Sequence, residues 1–323
     1  MKALITGGSG QDGRILARQL INNGHEVIAL CNLGKESLLS KYCPDAMAIG
    51  MDLTDQQELI SKLNEIQPDS IFNLVGFSSV KKSWNNPSLA VLTNSLVPAI
   101  ILEWCLKSKP NTRFLQASSS EIFGGSLISP QNEKTSHSPI TPYGLSKSFS
   151  HKLVCQYREE FGIHASNAIL YNHESPLRSE HFVTRKITRA VAAIARGSQE
   201  SVSLGNTNAI RDWGWAPDYV DAMYKIIEND LPEDYVIATG ISSTVNDILK
   251  YAFNYIGISD YRNYLEHEVS NDRNVDPVNL VGDNTFARTK LNWVPTKNLE
   301  EIVCAMVEFD IRLIDQPELT WLT

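Results

Sequence analysis

The 323-residue chain balances 29 Lys+Arg against 37 Asp+Glu, a formal charge of −8, and is 42% hydrophobic. That composition suits an ordinary globular chain and argues against a nucleic-acid surface, since no basic cluster is longer than Lys81-Lys82. No apolar run reads as membrane-spanning, and the five cysteines, odd in number and without a C-x-x-C pair, read as buried thiols of a reducing cytoplasm.

Lys2-Ala3-Leu4-Ile5 opens the chain as a short buried strand, which leaves no room for a signal peptide and places the protein in the cytoplasm. Gln11 to Asn23 carries Ile15, Leu16, Leu20 and Ile21 at helical spacing. Glu26–Leu30 predicts a second strand and Ala46–Gly50 a third, ending at Asp52-Leu53. A helix over 55–66 precedes a strand over 70–75; a long helix from about Ser88 to Lys107 precedes the strand Arg113–Ala117. Another helix begins near Tyr143, and Ala165–Leu170 makes a sixth strand. Such alternation predicts an α/β fold: a Rossmann-type, doubly wound parallel sheet with helices on both faces. The dinucleotide-binding domain is expected over 1–171 plus about 206–240. A smaller mixed α/β part, from about 172–205 and 241–323, is left to hold substrate.

Two short motifs carry the chemistry. Thr6-Gly7-Gly8-Ser9-Gly10-Gln11-Asp12-Gly13 lies between the first strand and the first helix, spaced Gly-x-x-Gly-x-x-Gly. There the free amides and the dipole of the helix attract a diphosphate, and residues without Cβ let it approach. The cofactor-binding set is Gly7, Gly10, Gln11, Asp12 and Gly13, with Asn32 and Lys35 near the ribose, Asp52 and Leu53 near adenine, and Leu74. A ligand-free turn, and a helix cap for Asp52, are the plain alternatives. An NAD-selective fold places an acid at the end of the second strand, whereas Cys31-Asn32-Leu33-Gly34-Lys35 has none; this favours NADP, with NAD the alternative.

Tyr143 and Lys147 are i,i+4 and share a helix face, where an ammonium lowers the phenol toward neutrality for proton exchange with a substrate hydroxyl; both also line the cofactor. Ser118-Ser119-Ser120-Glu121 follows a predicted strand, where active-site groups gather. Ser119, Tyr143 and Lys147 form the catalytic set read from the residues. No metal site is expected.

These motifs resemble the extended short-chain dehydrogenase/reductase superfamily, and four stretches narrow the resemblance to the GDP-mannose 4,6-dehydratase family. Gln116–Gly124 is similar to that family's Q-A-S-T-S-E-L-Y-G; Asn172-His173-Glu174-Ser175-Pro176 with Phe182–Thr188 is similar to its N-H-E-S-P…F-V-T-R-K-I-T. Arg211-Asp212-Trp213-Gly214 with Asp218-Tyr219-Val220 matches R-D-W-G-x-A-x-D-Y-V, and Arg273 with Leu280–Asp283 resembles a closing R-P-x-E-V…L-L-G-D. The resemblance implies a GDP-sugar 4,6-dehydratase with a tightly bound, recycled NADP. In it Tyr143 takes the proton of the sugar O4 while hydride leaves C4, Glu121 removes H5 and helps the C6 hydroxyl leave as water, and hydride returns to C6. It assigns Ser78, Ser79, Asn172, Glu174, Lys186, Arg211 and Arg273 to the sugar nucleotide. It also implies a homodimer or homotetramer joined through the helices near 88–107 and 143–160, with Leu92, Leu96, Ala99, Ile100 and Val154 as candidate contacts.

Departures bear on these expectations. The family's arginine-bearing segment after the second strand is replaced by Asn32-Leu33-Gly34-Lys35, which touches cofactor choice and assembly. Leu74–Val80 departs from L-A-A-Q-S-H-V, so Phe77 and the Trp84 region allow for another GDP-hexose, such as a 2-acetamido or heptose form. A GDP-4-keto-6-deoxyhexose reductase and a catalytically silent nucleotide-binding protein are the competing readings.

Overall fold

A computed structural model describes residues 1–267 and 279–321. The first half alternates as expected: β1 (Lys2–Thr6), α1 (Gln11–Asn22), β2 (Glu26–Asn32), α2 (Glu36–Tyr42), β3 (Met47–Met51), α3 (Gln56–Ile66) and β4 (Ser70–Asn73). Then follow α4 (Val80–Ser83), α5 (Pro87–Val91), α6 (Val97–Ser108), β5 (Arg113–Ser119), α7 (Pro142–Phe161) and β6 (Ala165–Leu170). Later segments give β7 (Asn172–Glu174), α8 (Val183–Ala195), β8 (Val202–Leu204), β9 (Ile210–Arg211), β10 (Trp213–Trp215), α9 (Ala216–Glu228) and β11 (Asp234–Ile237). The chain closes with β12 (Ser243–Thr244), α10 (Val245–Tyr255), β13 (Leu265–His267), β14 (Asn279–Leu280), α11 (Thr285–Leu291) and α12 (Leu299–Asp315).

Seven strands form one sheet in the order β11-β6-β5-β4-β1-β2-β3, every pairing parallel. β1 lies between β4 and β2, so the chain leaves it in opposite directions on the two sides and a crevice opens above its C-terminal end. One face is filled from α1, α9 and α11 (Leu16, Leu20, Tyr219, Met223, Ala287), the other from α3, α6 and α7 (Leu59, Leu63, Ile101, Val154). A separate core joins α8, α10 and α12 through Ile187, Ile248, Phe253, Val303 and Val307. Leu280, Leu291 and Trp293 belong to the core on the first face of the main sheet.

Two local features differ from expectation. The helix foreseen from Ser88 to Lys107 is interrupted by a π turn at Leu92–Leu96. Pro98 has no N–H to return to the Asn94 carbonyl one turn back, which accounts for the wider turn there. Pro87–Ser108 is also long and apolar enough, by length and composition, to cross a membrane, contrary to the sequence reading; over half of its most apolar window (56%) packs inside the protein. Secondly, α2 has no clear helical periodicity in the sequence.

Candidate active site

The first strand ends in a turn that only glycines fit. Gly7 has φ +76°, and a Cβ there would lie 2.9 Å from the Val75 nitrogen; a Cβ on Gly13 would lie 2.5 Å from the Gly7 carbonyl oxygen. The Gly7 and Gly8 amides donate to the Leu30 carbonyl at 2.9 and 3.0 Å, and Gly10 sits as the uncapped N-cap of the 12-residue α1. A row of buried amides sets the strand ends beneath it. Thr6 donates to Asn73 at 2.6 Å, Asn73 to Gln116 at 2.7 Å, and the Val75 amide to the Thr6 hydroxyl at 3.2 Å. The result is a cradle of backbone at a helix N-terminus, the environment a dinucleotide diphosphate requires.

The expected catalytic residues converge at the adjacent strand end. α7 starts where it does because Thr141 caps the Gly144 amide at 3.0 Å and Pro142 occupies the first turn. Tyr143 and Lys147, one turn apart, are both buried. Lys147 Nζ donates to the Ala117 carbonyl at 2.9 Å, and a Cβ on Gly76 would stand 3.3 Å from it. Ser119 ends β5, accepts from the Glu121 amide at 3.3 Å and lies close enough for its hydroxyl to lower the pKa of the Tyr143 phenol. Glu121, in the tight turn Ser120–Phe123, is itself buried and close enough for its charge to act on Tyr143.

Electrostatics here differ from the simple Tyr/Lys expectation. Burial pushes the Tyr143 phenol up to about 12; the Ser119 hydroxyl opposes this and Glu121 adds to it. Burial also brings the Lys147 ammonium down to about 8. In the chain by itself, desolvation outweighs any help the ammonium gives the phenol.

Several predicted cofactor residues use their side chains elsewhere. Gln11 donates to the His173 carbonyl and accepts from Ser175, while Asp12 lies 2.9 Å from His173 Nε2. Burial raises the Asp12 carboxyl, yet His173 and Gln11 more than reverse this and hold it low. Both fasten the Gly-rich turn to the segment 171–178. Asp52 accepts from the Thr54 amide and hydroxyl at 2.9 and 2.7 Å, closing a turn of its own, and the Leu53 side chain lies in the core with Leu59 and Leu63. Asn32 and Lys35 are exposed at the end of β2, and Leu74 is half-buried beneath Gly7.

The expected substrate residues scatter more widely. Ser78 is exposed, but the Ser79 hydroxyl caps α4 by accepting from Lys82 at 3.3 Å. Asn172 donates to the Asp212 carbonyl at 3.3 Å, Lys186 is half-buried on α8, and Arg211 is buried, donating to the Ile210 carbonyl at 2.6 Å. Arg273 lies outside the described residues. Glu174 does not present its charge to solvent: it is only 2% exposed, is pushed up by burial, and pairs with Arg178 at 3.4 Å. Sequence reasoning passed over Arg178, which stacks 3.6 Å above the Phe182 ring and whose charge reaches Tyr143 and Asp12. It stands two residues past the N-H-E-S-P stretch, which was the available signal.

One cluster arises only through folding. Among the described residues, His151, Cys155 and Asp234 bring their ligand atoms within 4.8 Å of one another. Arg158 already grips that carboxylate with two bonds of 2.9 Å, so the trio reads as a brace between α7 and β11 rather than a metal centre.

Strand order, glycine cradle and the Ser–Tyr–Lys corner define the class: an extended short-chain dehydrogenase/reductase fold. It is shared with the UDP-glucose 4-epimerase of Thermotoga maritima (TM-score 0.87, 25% identity, 97% of this chain and 100% of that one). It is also shared with a dTDP-glucose 4,6-dehydratase of Streptomyces venezuelae whose structure holds NAD (TM-score 0.86, 20% identity, 99% and 100%). The family model for GDP-mannose 4,6 dehydratase matches residues 4–306, and GDP-mannose 4,6 dehydratase 2 of Arabidopsis thaliana is 38% identical over 96% of this chain and 87% of its own. The chain belongs to the GDP-mannose 4,6-dehydratase family.

Proposed function

We propose that the protein is a GDP-sugar 4,6-dehydratase, an NAD(P)-dependent hydro-lyase that turns a GDP-hexose into its 4-keto-6-deoxy form. The observation that carries this reading is the buried Glu121 carboxylate beside Tyr143 and Ser119. A hydroxyl oxidation needs only the tyrosine and lysine; loss of water from C5 and C6 needs a second acid-base group, and Glu121 fills that place.

The glycine cradle at α1 and the half-buried Leu74 would hold the dinucleotide. When bound, the nicotinamide supplies the hydride acceptor for C4 and the donor for C6, and leaves the cycle as it entered. Ser119 holds the sugar O4 by hydrogen bond and orients it toward Tyr143. Tyr143 takes the O4 proton. Lys147, fixed by the Ala117 carbonyl, holds its positive charge beside the site and favours the phenolate as it forms. Glu121 removes the proton from C5, which the neighbouring ketone acidifies, and passes it to the departing C6 hydroxyl. Proton transfers thus balance within the site: the proton that Tyr143 took returns to C5.

Asn172, Lys186, Arg211 and Arg273 are taken as the sugar-nucleotide set, with guanidinium groups suited to a diphosphate. The α8–α10–α12 core is taken as its scaffold. The free cysteines are in keeping with a reducing cytoplasm. A homodimer is favoured by the apolar side chains exposed around the π turn and on α7, namely Leu89, Leu92, Leu96, Leu145 and Phe149. Ile100 and Val154 take no part, being buried in the core, and Ala99 is half-buried.

The test is Glu121→Gln. It keeps shape and binding, leaves Tyr143 and Lys147 intact, and slows elimination at least ~10²-fold. Reduced nicotinamide absorbance then builds up on mixing with GDP-mannose. Near-normal dehydration by this variant refutes the assignment.

A further inference from the structure

The second strand ends at Cys31-Asn32 where a ribose-gripping acid ordinarily stands, yet a carboxylate reaches the same place from outside the strand. Glu36, the first residue of α2, folds its side chain back over the sheet edge, so that Oε1 accepts from the Gly34 amide at 3.1 Å. A Cβ built on Gly50 of β3 would collide with that carboxylate, which fixes it between the C-terminal ends of β2 and β3. Glycine at position 50 is what leaves it room. Its charge is felt by the Cys31 thiol, which burial first and Glu36 second push up to about 11.

In a doubly wound sheet this edge of the crevice, beside the end of β2, is where the adenosine ribose lies. An ionised carboxylate there accepts a hydrogen bond from a 2′-hydroxyl and repels a 2′-phosphate. Cations that would offset that repulsion are directed elsewhere. Arg14 donates to the Gly10 and Leu177 carbonyls, and Arg18 lies 5.8 Å above the Tyr42 ring. Lys35, the one cation of the turn 32–36, is exposed.

Resting on the dinucleotide-dependent reading above, we infer that Glu36 is the cofactor-selecting residue and that it selects NAD against NADP. This reverses the preference expected from the acid-free run Cys31–Lys35. The acid stands one residue beyond that run and arrives by way of a helix that the sequence did not announce.

The test reads binding rather than turnover. Purified protein is equilibrated with an equimolar mixture of the two oxidised dinucleotides, freed of unbound ligand and denatured, and the released cofactor is identified by mass spectrometry. Wild type is expected to release NAD over NADP by at least ~10-fold, in line with the cost of setting like charges together. Glu36→Gln is expected to move that ratio at least ~10-fold toward NADP, because the amide keeps a hydrogen-bonding group without the charge. Release of NADP by the wild type, or an unchanged ratio in Glu36→Gln, overturns the inference while leaving the dehydratase reading intact. A wild type that binds neither dinucleotide overturns both.

Discussion

Lys147 offers a variant in which stability and activity should move in opposite directions. Its ammonium is buried and donates to the Ala117 carbonyl, and burial takes it from 10.5 down to about 8. A fall of that size corresponds to about 3 kcal/mol of cost to the folded protein wherever the group is charged in both states. Removing the ammonium forfeits roughly 1 kcal/mol of hydrogen bonding, so Lys147→Met should stabilise the dinucleotide-free protein by about 2 kcal/mol at pH 7. The pH dependence follows from linkage. Below pH 8 lysine is protonated both folded and unfolded, and the whole cost is present. Between pH 8 and 10.5 the unfolded chain binds more protons, so the wild type gains stability and the advantage of the variant fades. Urea unfolding of both proteins at pH 7 and near pH 10, read as the difference between them, cancels the tyrosines and cysteines they share. Dehydratase turnover of the variant should fall at least ~10²-fold in parallel. A variant less stable than wild type at pH 7 would refute the reasoning.

The buried pair of Arg185 and Asp310 predicts the opposite outcome. Arg185→Met leaves a carboxylate without its cation and should cost ~3–5 kcal/mol in urea unfolding, most of it recovered on adding Asp310→Leu. Gly13→Ala places a Cβ 2.5 Å from the Gly7 carbonyl oxygen and 2.7 Å from the Gly8 Cα; calorimetric titration should show dinucleotide affinity down at least ~10-fold with circular dichroism retained. Thr141→Ala removes the cap at the start of α7 and should cost about 1 kcal/mol of stability in thermal or urea unfolding. Tyr143→Phe should bind GDP-sugar yet show no reduced nicotinamide on mixing, unlike Glu121→Gln.

Much of the fold was legible because parallel strands buried on both faces are written as short apolar runs, and the helices between them as amphipathic ones. The convergence of the candidate catalytic residues was legible for a related reason. Ser119 and Glu121 fall at a strand end, and Tyr143 and Lys147 one helical turn apart. What stayed hidden depends on contacts between distant segments. Asp12 and Gln11 sit in the cofactor turn, and nothing local to them announces His173 or Ser175, more than 160 residues on. Glu174 carries a motif-bearing charge, but its engagement by Arg178 inside the protein follows only from how 172–178 folds. Glu36 escaped notice because α2 is one short helix with little periodicity, and its side chain runs backward across the sheet edge.

The central claim is dehydration of a GDP-hexose on a recycled cofactor. The direct measurement is mass spectrometry of the product after incubating the purified protein, with its bound dinucleotide and no added reductant, with GDP-mannose and a panel of GDP-hexoses. The account predicts a product lighter than its substrate by one water, formed over many turnovers. Unchanged GDP-hexoses, or conversion only of a 4-keto-6-deoxy substrate with one added NADPH or NADH consumed per product, would contradict it.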